Sequence, residues 1–194
     1  MSPAPSRPRL IVGISGASAP QLGHALLRAL HQLQTVETHL VVSAGALRTI
    51  ELELGVGLEE VQALANVVHD PGDLAAPISS GSFQALGMAV APCSMGRLAA
   101  IANGTSDDLL ARAADVCLKE RRRLVLAPRE APLNLIHIRN MEAATLAGAT
   151  IFPPVPAFYH RPRSIDDLLA QITGRILDQF GIEHDLFARW RGRS

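Results

Sequence analysis

The sequence predicts a single-domain α/β fold, a Rossmann-like doubly wound parallel sheet, from three observations. Short apolar runs rich in branched residues alternate with stretches in which apolar residues recur at helical spacing, the pattern of a parallel sheet covered by helices. Several of those runs break at once into glycine- and hydroxyl-rich turns. The 194 residues, 48% hydrophobic and 19% charged, suffice for one sizeable core but not comfortably for two.

In chain order, Arg9 to Ile14 reads as a buried strand that ends in Ser15-Gly16-Ala17-Ser18. Leu22, Leu26, Ala29, Leu30 and Leu33 then mark a helix packed back on the sheet. A second strand, Thr38 to Val42, ends at Ser43, and helical stretches follow over 46–54 and 58–64. Val67-Val68 is a short strand, and Gly87–Ala91 a stronger one stopped by Pro92-Cys93-Ser94-Met95-Gly96. Ser106-Asp107-Asp108 opens the next helix, with a capping hydroxyl and acids suited to the positive helix end. Leu124–Ala127 is strand-like, a helix runs from about Ile138 to Ala147 and stops at Gly148, and Thr150–Phe152 is the last strand. After an extended proline loop, the capping box Ser164 to Asp167 starts a helix that runs to Phe180. The expected organisation is a flexible tail over 1–8 and one domain over 9–194.

Composition excludes several function classes. Eighteen basic residues balance 18 acidic ones, so bulk charge supports neither a nucleic-acid nor a membrane partner. No apolar run approaches the roughly 20 residues of a membrane span, and the first eight residues lack the apolar core of a signal peptide, so a cytoplasmic protein is expected. Cys93 and Cys117 make neither a disulfide framework nor a zinc site. The seven histidines show no metal-ligand spacing, and no metal is expected.

In such sheets ligands bind beyond the carboxyl ends of the strands. Three turns there are rich in small and hydroxyl residues: Gly16-Ala17-Ser18, Ser43 with Gly45, and Ser94-Met95-Gly96. Any one of them reads simply as a tight turn, but three at one sheet edge point to a phosphate approaching backbone amides. The first turn lacks the Gly-x-Gly-x-x-Gly pattern and the second strand ends in Ser43 rather than an acid, so a mononucleotide fits better than NAD. Asp108, Arg112, Asp115 and Lys119 form a helical stripe, read on spacing as ordinary Asp108–Arg112 and Asp115–Lys119 pairs. Lys119-Glu-Arg-Arg-Arg123 reads as a solvated helix end, whereas Arg129-Glu130 follows a strand directly and lies at the ligand edge. Glu53 is exposed-helix material by pattern. Tyr159 follows a rigid proline loop that can aim a phenol, Arg175 pairs by default with Asp178, and Cys93 reads as a packed thiol.

At this point the chain resembles a known family. Gly13-Ile-Ser-Gly-Ala-Ser18, Ile78-Ser-Ser-Gly-Ser82, Pro92-Cys-Ser94, Arg112-Ala-Ala-Asp-Val116, Leu118-Lys-Glu-Arg-Arg-Arg123, Pro128-Arg-Glu-Ala-Pro132 and Phe158-Tyr-His-Arg-Pro162 resemble, in order, the motifs of UbiX-type flavin prenyltransferases. The resemblance implies a metal-independent flavoprotein that assembles as a homododecamer with shared sites. Such enzymes join a dimethylallyl group from dimethylallyl phosphate to reduced FMN, and the prenylated FMN serves a UbiD-type decarboxylase. By motif position Gly16, Ala17, Ser18, Ser43, Ser94, Met95, Gly96, Arg97 and Arg129 hold FMN. Lys119, Tyr159 and Arg175 hold the prenyl phosphate, and Ser18, Glu53, Arg112, Lys119 and Glu130 match catalytic positions. The chain departs from the pattern where Ala19 replaces a usual glycine, at Pro20, at Ala44, and where Arg97 replaces a usual threonine.

Two alternatives share the fold. A cysteine-decarboxylating flavoprotein would carry Pro-Ala-Ser-Ala-Asn-Thr where this chain has Pro92-Cys-Ser-Met-Gly-Arg97. A non-catalytic carrier of FMN or prenylated FMN would keep the cradle and lack the turnover.

Overall fold

Six parallel strands build the sheet of the computed structural model, which describes residues 7–190 and 192. They are β1 (Arg9–Ile14), β2 (Glu37–Val42), β3 (Val67–His69), β4 (Gly87–Cys93), β5 (Arg123–Pro128) and β6 (Thr150–Ile151), in the spatial order β3-β2-β1-β4-β5-β6. Strands buried on both faces need apolar residues at every position, hence the continuous runs in β1 and β4. Leu10, Val12 and Ile14 face one core with Leu40; Ile11 faces the other with Val41, Met88 and Leu124.

Helices α1 (Gln21–Leu33), α2 (Ala44–Glu53), α3 (Leu58–Gln62) and α7 (Ile165–Asp178) cover the first face, through Leu26, Ile50, Val61 and Ile176. On the second lie α4 (Met95–Ala102), α5 (Leu109–Lys119) and α6 (Leu135–Ala147), through Leu98, Leu110 and Ala144. The chain moves outward from β1 to β3, then returns to the other side of β1 with β4. That reversal opens a crevice between the carboxyl ends of β1 and β4.

The expected strands and their order of appearance hold, each within two residues. The helix α4 was not read from sequence, because only Leu98 and Ile101 of its eight residues are buried and the apolar signal is too short to register. Asp108, not Ser106, caps α5, its Oδ1 accepting from the Ala111 amide at 2.9 Å. Helix α6 starts at Leu135 because Asn134 caps it through the His137 amide. At the other end of the chain, Arg7 hydrogen-bonds Gln34 and the Pro8 carbonyl accepts from the Glu37 amide at 2.9 Å, so these two positions are tied to the domain. The rest of the expected tail, 1–6, lies outside the described residues. Among the described residues no helix is long and apolar enough to cross a membrane.

One polar network penetrates the second core. The buried His39 ring meets Glu37 through Nε2 at 2.8 Å and His69 Nε2 through Nδ1 at 2.9 Å, with Phe83 edge-on and Arg9 on both Glu37 and the Phe83 ring. An ionised Glu37 sets the tautomers in turn: His39 donates from Nε2 and accepts at Nδ1 from His69. Burial, and then the His39 charge, hold the His69 pKa below its ordinary value against the opposing pull of Asp73. The unfolded chain therefore binds a proton at a higher pH than the folded one, and stability is lost as pH falls through the folded value. In urea titrations from about pH 7.5 to about pH 5, the wild type is expected to lose stability more steeply than His69→Gln, whose amide retains a donor towards His39; parallel profiles would refute this origin.

Candidate active site

Three strand ends are stitched together at the crevice. The Ser15 amide and hydroxyl both donate to the Pro92 carbonyl, at 3.2 and 3.0 Å, and the Ser15 oxygen accepts from the Ser94 amide at 2.7 Å. Ser43 N–H donates to the Ile14 carbonyl at 2.9 Å. The first and second turns touch so closely that a Cβ on Gly16 would stand 2.8 Å from the Gly45 carbonyl carbon. Gly16, Ser43, Gly45, Ser94, Gly96 and Arg97 thus line one cavity of about 330 Å³, flanked by Asp107 and Asp108.

The cavity suits an anion. The amides of Gly16, Gly45 and Gly96 make no hydrogen bond among the described residues, and the N-termini of α2 and α4 both open on it. Ser43, the N-cap of α2, makes no side-chain capping bond, which leaves its hydroxyl uncommitted. A Cβ on Gly96 would meet nothing within 4 Å, so the protein's own packing does not demand glycine there. These residues fit the phosphate of a mononucleotide. Two of the expected cradle residues differ in how they contribute. Met95 packs its side chain against the second core, leaving its backbone to the cavity. Arg97 is largely buried, with Nη1 on Asp107 at 3.2 Å, Nη2 on Asp108, and a buried Nε that has no partner.

Glu53, unremarkable by pattern, closes the first turn. Its Oε2 accepts from the Ser18 hydroxyl at 2.8 Å and from the Ala19 amide at 3.0 Å. The Ala19 amide, then the Ser18 hydroxyl, hold its pKa below the ordinary carboxylate value, and the Arg129 charge adds to them. Ala19 adopts the left-handed conformation, φ 69°, to bring its amide to Glu53. Arg129 leaves β5 with its amide on the Cys93 carbonyl at 3.1 Å, and exposed Glu130 accepts from the Ala131 amide through Oε1. Cys93 is the packed thiol expected, its pKa pushed up to about 12 by burial.

The other expected residues stand apart from the cradle in one chain: among the described residues no side-chain hydrogen bond or ion pair of Arg112, Lys119, Tyr159 or Arg175 reaches it. The helical stripe does not pair as its spacing suggested. Asp108 turns back to cap α5 and takes Arg97. Arg112 is drawn to the Ser79 carbonyl at 3.1 Å and to Asp115 at 2.7 Å, and Lys119 meets Glu120. Arg122 is no solvated helix end either, since it donates to the Gly81 and Phe83 carbonyls. Tyr159 is 41% exposed and stacks edge-on with Trp190 at 5.9 Å. The Arg175–Asp178 pair exists only loosely, at 3.8 Å, because Arg189 engages both Asp178 oxygens at 2.7 and 3.1 Å. Sequence reasoning missed Ser15, Asp107 and Asp108 as residues of the cradle. Ser15 stood in the first turn, but a hydroxyl facing inward leaves no sequence signature.

Comparison with known proteins agrees with this geometry. A family model described as Flavoprotein matches residues 3–177. The flavin prenyltransferase UbiX of Escherichia coli K12 is 58% identical over 95% of this chain and 98% of its own. The crystal structure of AnUbiX (PadA1) in complex with FMN and dimethylallyl pyrophosphate superposes with a TM-score of 0.94 at 54% identity, covering 97% of this chain and all of that one. A dodecameric FMN-dependent UbiX-like decarboxylase from Escherichia coli O157:H7 gives 0.92 at 53% identity, covering 95% of this chain and all of its own.

Two substitutions in the first turn are expected to act in opposite directions. Ala19→Gly relieves the left-handed strain at the cost of unfolded-chain entropy, for a net gain of about 0.5–1 kcal/mol. Gly16→Ala forces the first two turns apart, costing about 1–3 kcal/mol. Urea unfolding of both variants checks the signs.

Proposed function

The chain belongs to the flavoprotein family and, within it, to the UbiX flavin prenyltransferases, and from that membership we propose how its own residues divide the work of joining a dimethylallyl group to reduced FMN. The protein is a prenyltransferase whose product is prenylated FMN. The observation that carries the reading is the meeting of three amide-and-hydroxyl turns on one cavity. Bound there, reduced FMN supplies the nucleophilic ring to which the allylic carbon becomes attached.

Gly16, Ala17, Ser18, Ser43, Ser94, Gly96 and Arg97 hold the mononucleotide, joined by the Met95 backbone, and Arg129 adds positive charge from the end of β5. Ser18 and Ala19 commit only Oε2 of Glu53. Its ionised Oε1, free of donors among the described residues, takes up the proton that the coupling releases. Arg175, weakly engaged by Asp178, donates with Lys119 and Tyr159 to the departing phosphate of dimethylallyl phosphate, where cations and a phenol stabilise the growing charge. Arg112 and Glu130 complete the charged rim, and the π-faces of Tyr159 and Trp190 suit an allylic cation.

Residues separated within one chain meet when protomers assemble. A homododecamer with sites shared between neighbours accounts for that separation, and the exposed apolar side chains of α6, Leu135, Ile136, Ile138 and Leu146, supply material for the contacts. The product passes to a UbiD-type decarboxylase.

Anaerobic incubation with reduced FMN and dimethylallyl phosphate should yield bound flavin heavier by one five-carbon unit, read by mass spectrometry. Flavin of unchanged mass on intact protein would make the chain a carrier instead. Glu53→Gln should slow turnover by about 100-fold or more and Tyr159→Phe by about 10-fold or more, both with FMN retained. Parallel loss of FMN would reduce these side chains to pocket support.

A further inference from the structure

Arg97 stands where threonine is usual in the resembled family, and its setting is unlike that of a surface cation. The side chain is 13% exposed, two carboxylates hold its terminal nitrogens, its Nε is buried without a partner, and the residue lines the cavity. A guanidinium donates from two edges. Here the Asp107 and Asp108 carboxylates engage the terminal nitrogens, and an unused N–H remains at Nε. Orphaned buried donors are rare, and this one belongs to a residue of the first turn of α4 that lines the cavity with Gly96.

The same carboxylate that holds Nη2 also caps α5. Asp108 Oδ1 accepts from the Ala111 amide at 2.9 Å while Oδ2 takes Arg97, so the guanidinium is fixed against a helix rather than a mobile side chain. We propose that Asp108 is a positioning residue for cofactor recognition, holding Arg97 so that its Nε–H donates to the phosphate of FMN and selects the phosphorylated flavin over riboflavin. The proposal rests on the reading of this cavity as the FMN site and adds two things to it: the group on the cofactor that Arg97 reads, and the residue that aims it.

Charge alone argues the other way for Asp108. A carboxylate beside a phosphate site repels the ligand, so Coulomb's law by itself has Asp108→Asn tighten FMN binding. Positioning demands the reverse. Asparagine caps helices as well as aspartate does and can keep its Oδ1 on the Ala111 amide. Its amide nitrogen then faces Arg97 Nη2, donor against donor, and only the aiming contact is lost.

The test titrates purified protein with FMN and separately with riboflavin, following flavin fluorescence, with thermal unfolding as the check on fold. Arg97→Thr is expected to weaken FMN by about 10–100-fold, the worth of a charge-assisted hydrogen bond, and to leave riboflavin within about 3-fold. Arg97→Lys should recover little of that loss, since an ammonium held by Asp107 and Asp108 has no second planar edge. Asp108→Asn should weaken FMN by about 3–10-fold with riboflavin unmoved. Equal losses for the two flavins in Arg97→Thr, full rescue by lysine, or unchanged or tighter FMN binding in Asp108→Asn would each overturn the proposal while leaving the flavin site standing. Wild-type protein that bound neither flavin would remove the flavin site and the proposal with it.

Discussion

The site depends on one buried hydroxyl. Ser15 lies at the end of the central strand, 1% exposed, and its oxygen both donates to the Pro92 carbonyl and accepts from the Ser94 amide. Those bonds pin the carboxyl end of β1 to that of β4, across the point where the strand order reverses. Without the hydroxyl the partly buried Ser94 amide would lose its partner, a loss of about 1 kcal/mol. Geometry matters more than that energy. Ser94 is the residue from which α4 starts, so the pin fixes where the Met95 and Gly96 amides and Arg97 project. The Gly16–Gly45 contact does the same for α2, and it permits no side chain at Gly16.

Much of this was legible because it follows from burial. A strand covered on both faces must be apolar throughout, and Arg9–Ile14 and Gly87–Ala91 announce themselves by that alone. The three turns were legible because a backbone that approaches a phosphate excludes bulk, and so concentrates Gly, Ala and Ser at three strand ends. The helix α4 was not legible. It buries two side chains, and its N-terminal turn has the composition of a loop because it serves the cavity. Glu53 stood out only through the family resemblance and not by pattern: its partners, Ser18 and the Ala19 amide, lie about 35 positions away in sequence, and no local pattern encodes a contact made across two strand ends.

The charged stripe of α5 carries a more general lesson. Spacing of four residues offered Asp108–Arg112 and Asp115–Lys119, each worth only about 0.2–0.5 kcal/mol on an open helix face. Other partners, some tertiary and some local, displaced them: Asp115 goes to Arg112 three residues before it and Lys119 to Glu120. Asp108 found a helix amide and a buried guanidinium, and Arg112 found a carbonyl on the 3₁₀ turn over Pro77–Ser79. A local pair of this strength is easily exchanged for another partner within reach, local or distant, which is why the pairing of such residues cannot be read from their spacing. The loose Arg175–Asp178 contact obeys the same rule, since Arg189 takes both carboxylate oxygens and leaves Arg175 available.

The cradle's charge balance then explains how an arginine can occupy a tight cofactor turn. Two helix N-termini and a guanidinium on one small cavity would, unopposed, repel one another and cost stability in the empty protein. Asp107 and Asp108, which line the same cavity and pair with Arg97, offset that charge, so the cavity keeps directed donors without an excess of positive potential. Compensation of this kind also favours selectivity: net charge attracts any anion, but donors held in fixed directions reward only an acceptor that arrives in the right place. An arginine in place of the usual threonine is therefore compatible with the fold because Asp108 caps the neighbouring helix and holds the guanidinium with the same carboxylate.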